Sequence, residues 1–105
     1  MQNTASLQFS AATDGRELRL DADCVLVSAT QSFGGSSRAV ISRDPKTTIA
    51  NSVTAPGNGI DENIIGIVGA AYCEFTPGVP IPAGQSVFVS VNALMTLCLQ
   101  FELTL

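Results

Sequence analysis

The strongest constraint on the fold is a strict alternation of apolar and other residues late in the sequence. Large apolar residues occupy every odd position of this stretch: Leu97, Leu99, Phe101, Leu103 and Leu105. Successive side chains of a β-strand point to opposite faces, so a period of two predicts a strand with one face in a core. Residues 86–91 repeat the pattern with valine on one side. We expect these two strands to form a hairpin through residues 92–95.

Shorter alternating or apolar stretches lie upstream. They predict strands over residues 7–11, 17–21, 24–30 and 38–43. Asp14-Gly15 is a typical turn sequence between alternating segments, so we expect the first two of these strands to form a second hairpin.

Residues 60–75 fit either a helix or a strand. A helical stripe behind a potential N-cap at Asp61 would contain Ile64, Ile67, Val68, Ala71, Tyr72 and Phe75. Gly66 and Gly69 oppose the helix, since each costs about 1 kcal/mol relative to alanine. β-Branched residues off the stripe also favour a strand. We therefore favour a strand, with the glycines marking a bulge or a close approach of two backbones.

The number and spacing of these segments define a fold class. The chain has 105 residues, the size of one ordinary domain. About seven or eight short strands separated by turn sequences predict an all-β fold, an antiparallel β-sandwich or jelly roll. We expect a single domain over residues 1–105, with its first and last strands near each other.

A long connection at about 44–63 interrupts the strand pattern. Loops of this length in compact domains usually contact something, contain a short strand or are disordered. Ile49, Val53 and Ile60 argue against plain disorder. We expect an arm that packs on a partner, with an ordinary surface loop as the equal alternative.

The chain lacks the residues that most catalytic and metal sites use. It has no histidine, which is the commonest general base and metal ligand. The acidic clusters Asp21-Ala22-Asp23 and Asp61-Glu62 do not match the spacing of a calcium loop. Because the chain has no histidine, no serine or threonine has that base to activate it as a nucleophile. The sequence predicts a protein that is not an enzyme and that needs no cofactor or metal.

Charge and hydropathy bear on the partners. Five cationic against nine acidic residues give a net charge of −4, so no basic stripe is available for nucleic acid. Only 13% of residues are charged and 46% are apolar, so we expect another chain to cover part of the surface. The longest run of apolar residues and glycine, 64–73, is about half the roughly 20 residues that span a bilayer. Residues 1–6 lack signal-peptide features. We therefore expect no membrane association.

The cysteines and aromatic residues suggest little chemistry. Cys24, Cys73 and Cys98 are odd in number and widely spaced, and we interpret them as small hydrophobes in a reducing compartment. Of the six aromatic residues, Phe33 and Tyr72 are the candidates for exposure. Two scattered rings would make a weak platform for a sugar.

Residues 79–91, with prolines, Ala83-Gly84 and an alternating strand, are followed by the apolar strand 98–103. This arrangement resembles the closing hairpin of small β-sandwich virion proteins of tailed bacteriophages. Such proteins occur as capsid-decorating (cement) proteins and as knobs of head or tail fibres. The resemblance implies a homotrimer without catalytic residues, made in the host cytoplasm without signal or disulfide, and carried in the virion on the capsid surface.

Two hypotheses follow. The first is a structural virion protein, a capsid decoration protein that stabilises the phage head by bridging subunits of the major capsid protein. Its partner contacts would come from Gln2, Asn3, Ile49, Val53 and Ile60. The second is a fibre knob or lectin-like module that binds host-surface carbohydrate. A secreted adhesin subunit is disfavoured by the absent signal and the three cysteines.

Overall fold

A computed structural model describes residues 2–32, 37–49, 64–68 and 71–103. Within these ranges there are eight β-strands. They are β1 (Gln2–Phe9), β2 (Thr13–Arg19), β3 (Cys24–Gln31), β4 (Ala39–Ser42), β5 (Ile64–Val68), β6 (Tyr72–Ile81), β7 (Ser86–Val91) and β8 (Met95–Leu103).

The strands form two four-stranded antiparallel sheets. Sheet 1 has the order β1-β8-β3-β6, and sheet 2 has the order β2-β7-β4-β5. Eight strands divided in this way between two packed sheets form a jelly roll. The predicted all-β sandwich is therefore confirmed. Within the ambiguous stretch 60–75, the described residues 64–68 and 72–75 belong to β5 and to the start of β6 rather than to a helix.

Both predicted hairpins are wrong. β7 belongs to sheet 2 and β8 to sheet 1, so residues 92–94 cross between the sheets instead of closing a hairpin. β1 and β2 are likewise in different sheets, and Asp14-Gly15 lies inside β2, at a register shift between Thr13 and Arg16. Alternation identifies a strand because burial alternates, but it carries no information about which strand is its neighbour.

The first and last strands are neighbours, as the sequence predicts. β1 pairs with β8 along its whole length, from Gln2 opposite Glu102 to Phe9 opposite Met95. β8 pairs on its other side with β3, so it is an inner strand of sheet 1.

The core lies between the two sheets. The inward residues Leu97 and Leu99 of β8 are 0% exposed, as are Val87 and Val89 of β7, and all four belong to one buried cluster. Burying one such side chain contributes about 1.5–3 kcal/mol, so these alternating positions supply much of the drive for packing the sheets together.

Candidate interaction surfaces

The charged residues divide unequally between the sheets. The strands of sheet 1 contain two carboxylates, Glu74 and Glu102, and no lysine or arginine. The five cationic residues lie in β2 or in the segments that flank β4: Arg16, Arg19, Arg38, Arg43 and Lys46. The outer face of sheet 1 is therefore a surface of low charge, built mainly from serine, threonine and glutamine.

Strand β1 forms one edge of sheet 1. It is eight residues long, and β8 pairs with all of them without a bulge. No strand in the described ranges pairs along its other side. The Arg16 guanidinium donates a hydrogen bond of 2.6 Å to the Gln8 carbonyl, near the end of this edge. The strand contains no proline and no charged residue.

The other three described edges carry features that discourage pairing with a further strand. β2 has a register shift and the charged residues Arg16, Glu17 and Arg19. β6 contains Pro77 and Pro80, which have no N–H to donate. β5 is only five residues long and pairs with β4 across a register shift. Bulges, charges, prolines and short length are the usual protections of an edge. Apart from its last two residues, where Arg16 bonds the Gln8 carbonyl and lies over the Phe9 ring, β1 is therefore the unprotected edge among the described strands.

A pocket of about 320 Å³ lies beside the first residues of β1. Its apolar lining consists of Ala5, Leu20, Ala22, Cys24, Phe101 and Leu103. Asn3 and Asp21 also line it, and both are exposed. The pocket therefore offers an apolar cavity next to the unprotected edge.

Cys24 is the reactive group nearest this pocket, and its surroundings suppress its reactivity. The side chain is 4% exposed, and its thiol donates to the Ile81 carbonyl over 3.8 Å. Burial, and to a lesser extent the negative charge of Asp23, raise the pKa of the thiol above its ordinary value of 9.0. Because the thiolate is the nucleophilic form, burial and the raised pKa make Cys24 less reactive at neutral pH than an exposed thiol. All three cysteines are free.

Residues 43–49, which follow β4, fold back over the outer face of sheet 2. Ser42 and Ser90 are each 1% exposed, although they point away from the core. The Ser42 and Thr47 hydroxyls are 2.9 Å apart and share a hydrogen bond. The Ser90 hydroxyl donates to the Thr47 carbonyl at 3.1 Å. This first part of the long connection is thus held on its own domain.

Residues 43–49 contact β2 at its register shift, between Thr13 and Arg16. The Asp14 carboxylate accepts a hydrogen bond of 3.2 Å from the Ile49 N–H, and the Gly15 N–H donates to the Ser90 hydroxyl at 3.0 Å. Gly15 has φ 71°, and a Cβ there would lie 3.2 Å from the Pro45 carbonyl oxygen. Asp14-Gly15 therefore fixes the returning segment instead of turning a hairpin.

The predicted partner contacts do not form one site in the described residues. Gln2 and Asn3 begin β1 in sheet 1, and Asn3 is exposed. Ile49 is half-buried and bonded to a residue of sheet 2. Val53 and Ile60 lie outside the described residues.

A groove of about 310 Å³ crosses the outer face of sheet 1. Its floor is a row of side chains set by the strand register, with Ser28 of β3 opposite Glu74 of β6 on one side and Gln100 of β8 on the other. Ser28 is 3% exposed, and its hydroxyl donates to Gln100 Oε1 at 2.9 Å.

Tyr72 lies beside this row and is 54% exposed. Its hydroxyl donates to Glu74 Oε2 at 3.2 Å, and the Thr76 hydroxyl donates to Glu74 Oε1 at 3.2 Å. Val27 and Phe75, both half-buried, complete the lining. The groove thus combines an exposed aromatic ring, a carboxylate, an amide and an apolar wall, and we call it the Tyr72 groove.

One residue of the Tyr72 groove, Tyr72 itself, was predicted from the sequence to be exposed. Phe33, the other candidate, lies outside the described residues. The predictions missed Glu74, Ser28 and Gln100, because only the pairing of three strands brings them together. The spacing of outward residues within one strand was the available signal, and it does not reveal the neighbours of that strand.

The described ranges contain no group of three or more histidine, cysteine or acidic residues that could hold a metal ion. Nor is any helix in those ranges both long enough and apolar enough to cross a membrane. Comparison of the chain with protein-family models, with curated proteins and with solved structures found no match.

Proposed function

We propose that the protein is a structural component of a phage virion, a capsid-decorating (cement) protein that bridges subunits of the major capsid protein and stabilises the head. The observation that carries this proposal is the unprotected edge of β1 beside an apolar pocket. An extended segment of a shell subunit adds to this edge as a further strand. In such strand addition, main-chain hydrogen bonds supply affinity and side-chain pockets supply specificity.

The chemistry of β1 supports this mode of attachment. Gln2 and Asn3, the contacts expected from the sequence, begin the strand, and Asn3 lines the pocket. The absence of charge along β1 suits a segment that is itself uncharged, with an apolar side chain packed against Leu20 and Phe101. A ligand that binds the assembled shell and not its separated subunits stabilises the shell by mass action, with no reaction required.

The proposal includes association of the protein with copies of itself as a homotrimer. The low charge of sheet 1 favours contact with another chain, because interface centres are depleted of charged residues. The cationic residues lie with sheet 2 and the strands of sheet 1 carry only carboxylates, which favours head-to-tail contacts over like-to-like contacts. Head-to-tail contacts are the kind that close into a ring.

The test is binding to shells assembled without the protein, measured by co-sedimentation. Arg16 bonds the Gln8 carbonyl from outside the β1–β8 pair, so alternate residues such as Ser6 direct their N–H away from β8. Ser6→Pro removes one of these outward N–H groups and blocks strand addition. We expect it to weaken shell binding by about tenfold or more, the equivalent of losing about one hydrogen bond. Ser10→Pro, just beyond β1, is the matched control and should bind as the unaltered protein does.

Two results contradict the proposal. A folded Ser6→Pro variant that binds shells with unchanged affinity excludes attachment through β1. If the mass in solution shows a dimer that Ser6→Pro converts to a monomer, the edge pairs with a second copy and not with the shell. The mass of the unaltered protein at micromolar concentration tests the trimer, which a mass of one or two chains excludes.

A further inference from the structure

We propose that the Tyr72 groove binds a neutral saccharide. The inference goes beyond the assembly function. The groove and the outer edge of β1 are different surfaces, so the inference does not rest on strand addition, but it requires that the homotrimer leave the part of sheet 1 around Tyr72 uncovered. It is argued from three features of the groove: oriented polar groups, an exposed aromatic ring and the sign of the local charge.

The polar groups are already oriented by bonds within the protein. Gln100 Oε1 accepts from the nearly buried Ser28 hydroxyl, which leaves the amide NH₂ as the group that Gln100 can offer to a ligand. Each oxygen of the Glu74 carboxylate accepts one hydrogen bond from a neighbouring hydroxyl, at 3.2 Å, and a carboxylate has about four acceptor sites. A sugar hydroxyl can donate to a carboxylate and accept from an amide, so adjacent hydroxyls match this pair.

The aromatic ring supplies the apolar half of a sugar site. Tyr72 is 54% exposed, although its aromatic body is apolar, and its hydroxyl is tied to Glu74 beside the groove. Val27 extends the apolar wall, and Phe75, which also packs against the core, borders the groove. One face of a hexose presents mainly C–H groups, which pack on an aromatic ring while the hydroxyls reach polar partners. At about 310 Å³ the groove is at the small end of ligand sites, which suits a single sugar residue.

The local charge selects against acidic sugars. Glu74 is the charged residue in the lining, and the strands of sheet 1 contain no lysine or arginine. A carboxylate or sulfate on the ligand would meet repulsion from Glu74 with no cation to offset it. The ligand is therefore a neutral sugar with two adjacent hydroxyls rather than a sialic acid or a sulfated sugar.

The composition of the chain provides a direct assay. Tyr72 is the one tyrosine of the sequence and there is no tryptophan, so tyrosine fluorescence reports on this groove alone. The probes are the methyl glycosides of glucose, galactose and mannose, with the methyl glycoside of N-acetylneuraminic acid as the anionic comparison. We expect a saturable change in emission with at least one neutral glycoside, in the millimolar range for so open a site, and none with the anionic one.

Variants separate specific binding from a general effect. Glu74→Gln keeps the shape of the side chain and removes its charge, and should weaken binding about tenfold, the effect of losing a charged hydrogen-bond partner. Leu94→Ala alters the other large apolar residue that is 54% exposed, in the connection between β7 and β8, and should leave the titration unchanged. Saturation-transfer NMR, which does not need the tyrosine, should show loss of binding in Tyr72→Ala. The proposal is overturned if no neutral glycoside gives saturation, if the anionic sugar binds equally well, or if binding survives Tyr72→Ala.

Discussion

The attachment of residues 43–49 to sheet 2 can be tested through Ser90. Its hydroxyl is 1% exposed, accepts from the Gly15 N–H at 3.0 Å and donates to the Thr47 carbonyl at 3.1 Å. Ser90→Ala removes both bonds with little change in volume. It therefore tests how much Ser90 contributes to holding the returning segment.

The two bonds have different consequences. Only the bond to Thr47 joins the segment to the sheet, and losing it should favour local opening by about 1.4 kcal/mol, or about tenfold. The bond from Gly15 links β2 to β7, so it is lost only on global unfolding. Loss of both bonds should lower the free energy of unfolding by about 2 kcal/mol, because the Gly15 N–H and the Thr47 carbonyl each lose their partner.

The sequence supplies a selective probe of local opening. Lys46 is the one lysine of the chain and lies in the segment, so a lysine-specific protease has a single site there. Cleavage of a transiently opened segment follows the population of the open form when opening is fast. We expect cleavage of Ser90→Ala to be about tenfold faster, with urea unfolding measuring the global loss.

Ser28→Ala is the matched control. Ser28 is also a nearly buried serine, but it lies in sheet 1 and bonds Gln100. Its loss should lower global stability by about 1 kcal/mol and leave cleavage at Lys46 unchanged. If cleavage requires global unfolding, both variants are cleaved faster, each in proportion to its own global loss: about fivefold for Ser28→Ala and about thirtyfold for Ser90→Ala. An increase below about threefold in Ser90→Ala would refute the assignment of Ser90 as one of the residues that attach the segment to sheet 2.

Two further predictions concern the core. Leu99 is 0% exposed, so Leu99→Ala should lower the free energy of unfolding by about 3 kcal/mol in urea titrations, whereas the exposed Leu94→Ala should change it by less than about 0.5 kcal/mol. The raised pKa of Cys24 means that, above pH 9.0, the folded protein keeps a proton that the unfolded chain has lost. Stability should therefore lose this contribution progressively as the pH rises above 9.0, and Cys24→Ala should make that decline shallower; an unchanged pH profile would contradict the assignment.

The positions of the strands were more predictable than their partners. Residues 86–91 were predicted as a strand and coincide with β7, because alternating burial leaves alternating hydrophobicity. β8 pairs with β1 and β3, which are distant in the sequence, and no local pattern records that choice. The prediction of a hairpin turn at Asp14-Gly15 is wrong for a related reason. The positive φ of Gly15 serves a bulge as well as a turn, so the residue type identifies the local geometry and not the path of the chain.

The candidate sites were predictable only where a single residue carried the signal. Asn3 and Tyr72 were marked individually, and both line cavities. The partners of Tyr72 come from three strands, and a register shift between Leu26 and Ser28 decides which side chains share the groove. Gly78 of β6 lies against the shifted part of β3, since a Cβ there would overlap Val25 Cγ1 and lie 3.3 Å from the Leu26 carbonyl oxygen. Such a close approach of two backbones depends on tertiary structure and has no period in the sequence.

The placement of β8 between β1 and β3 has a consequence for how the molecule reaches its native state. β1 is synthesised before the six strands that separate it from its partner β8, so sheet 1 stays incomplete while those strands are made. Closing it requires a loop that includes nearly every residue, and such long-range closure makes folding slow. A nascent chain that stalls before β8 would leave β1 without its pairing strand. Because β1 has no charged side chain, it is most prone to aggregate at that stage.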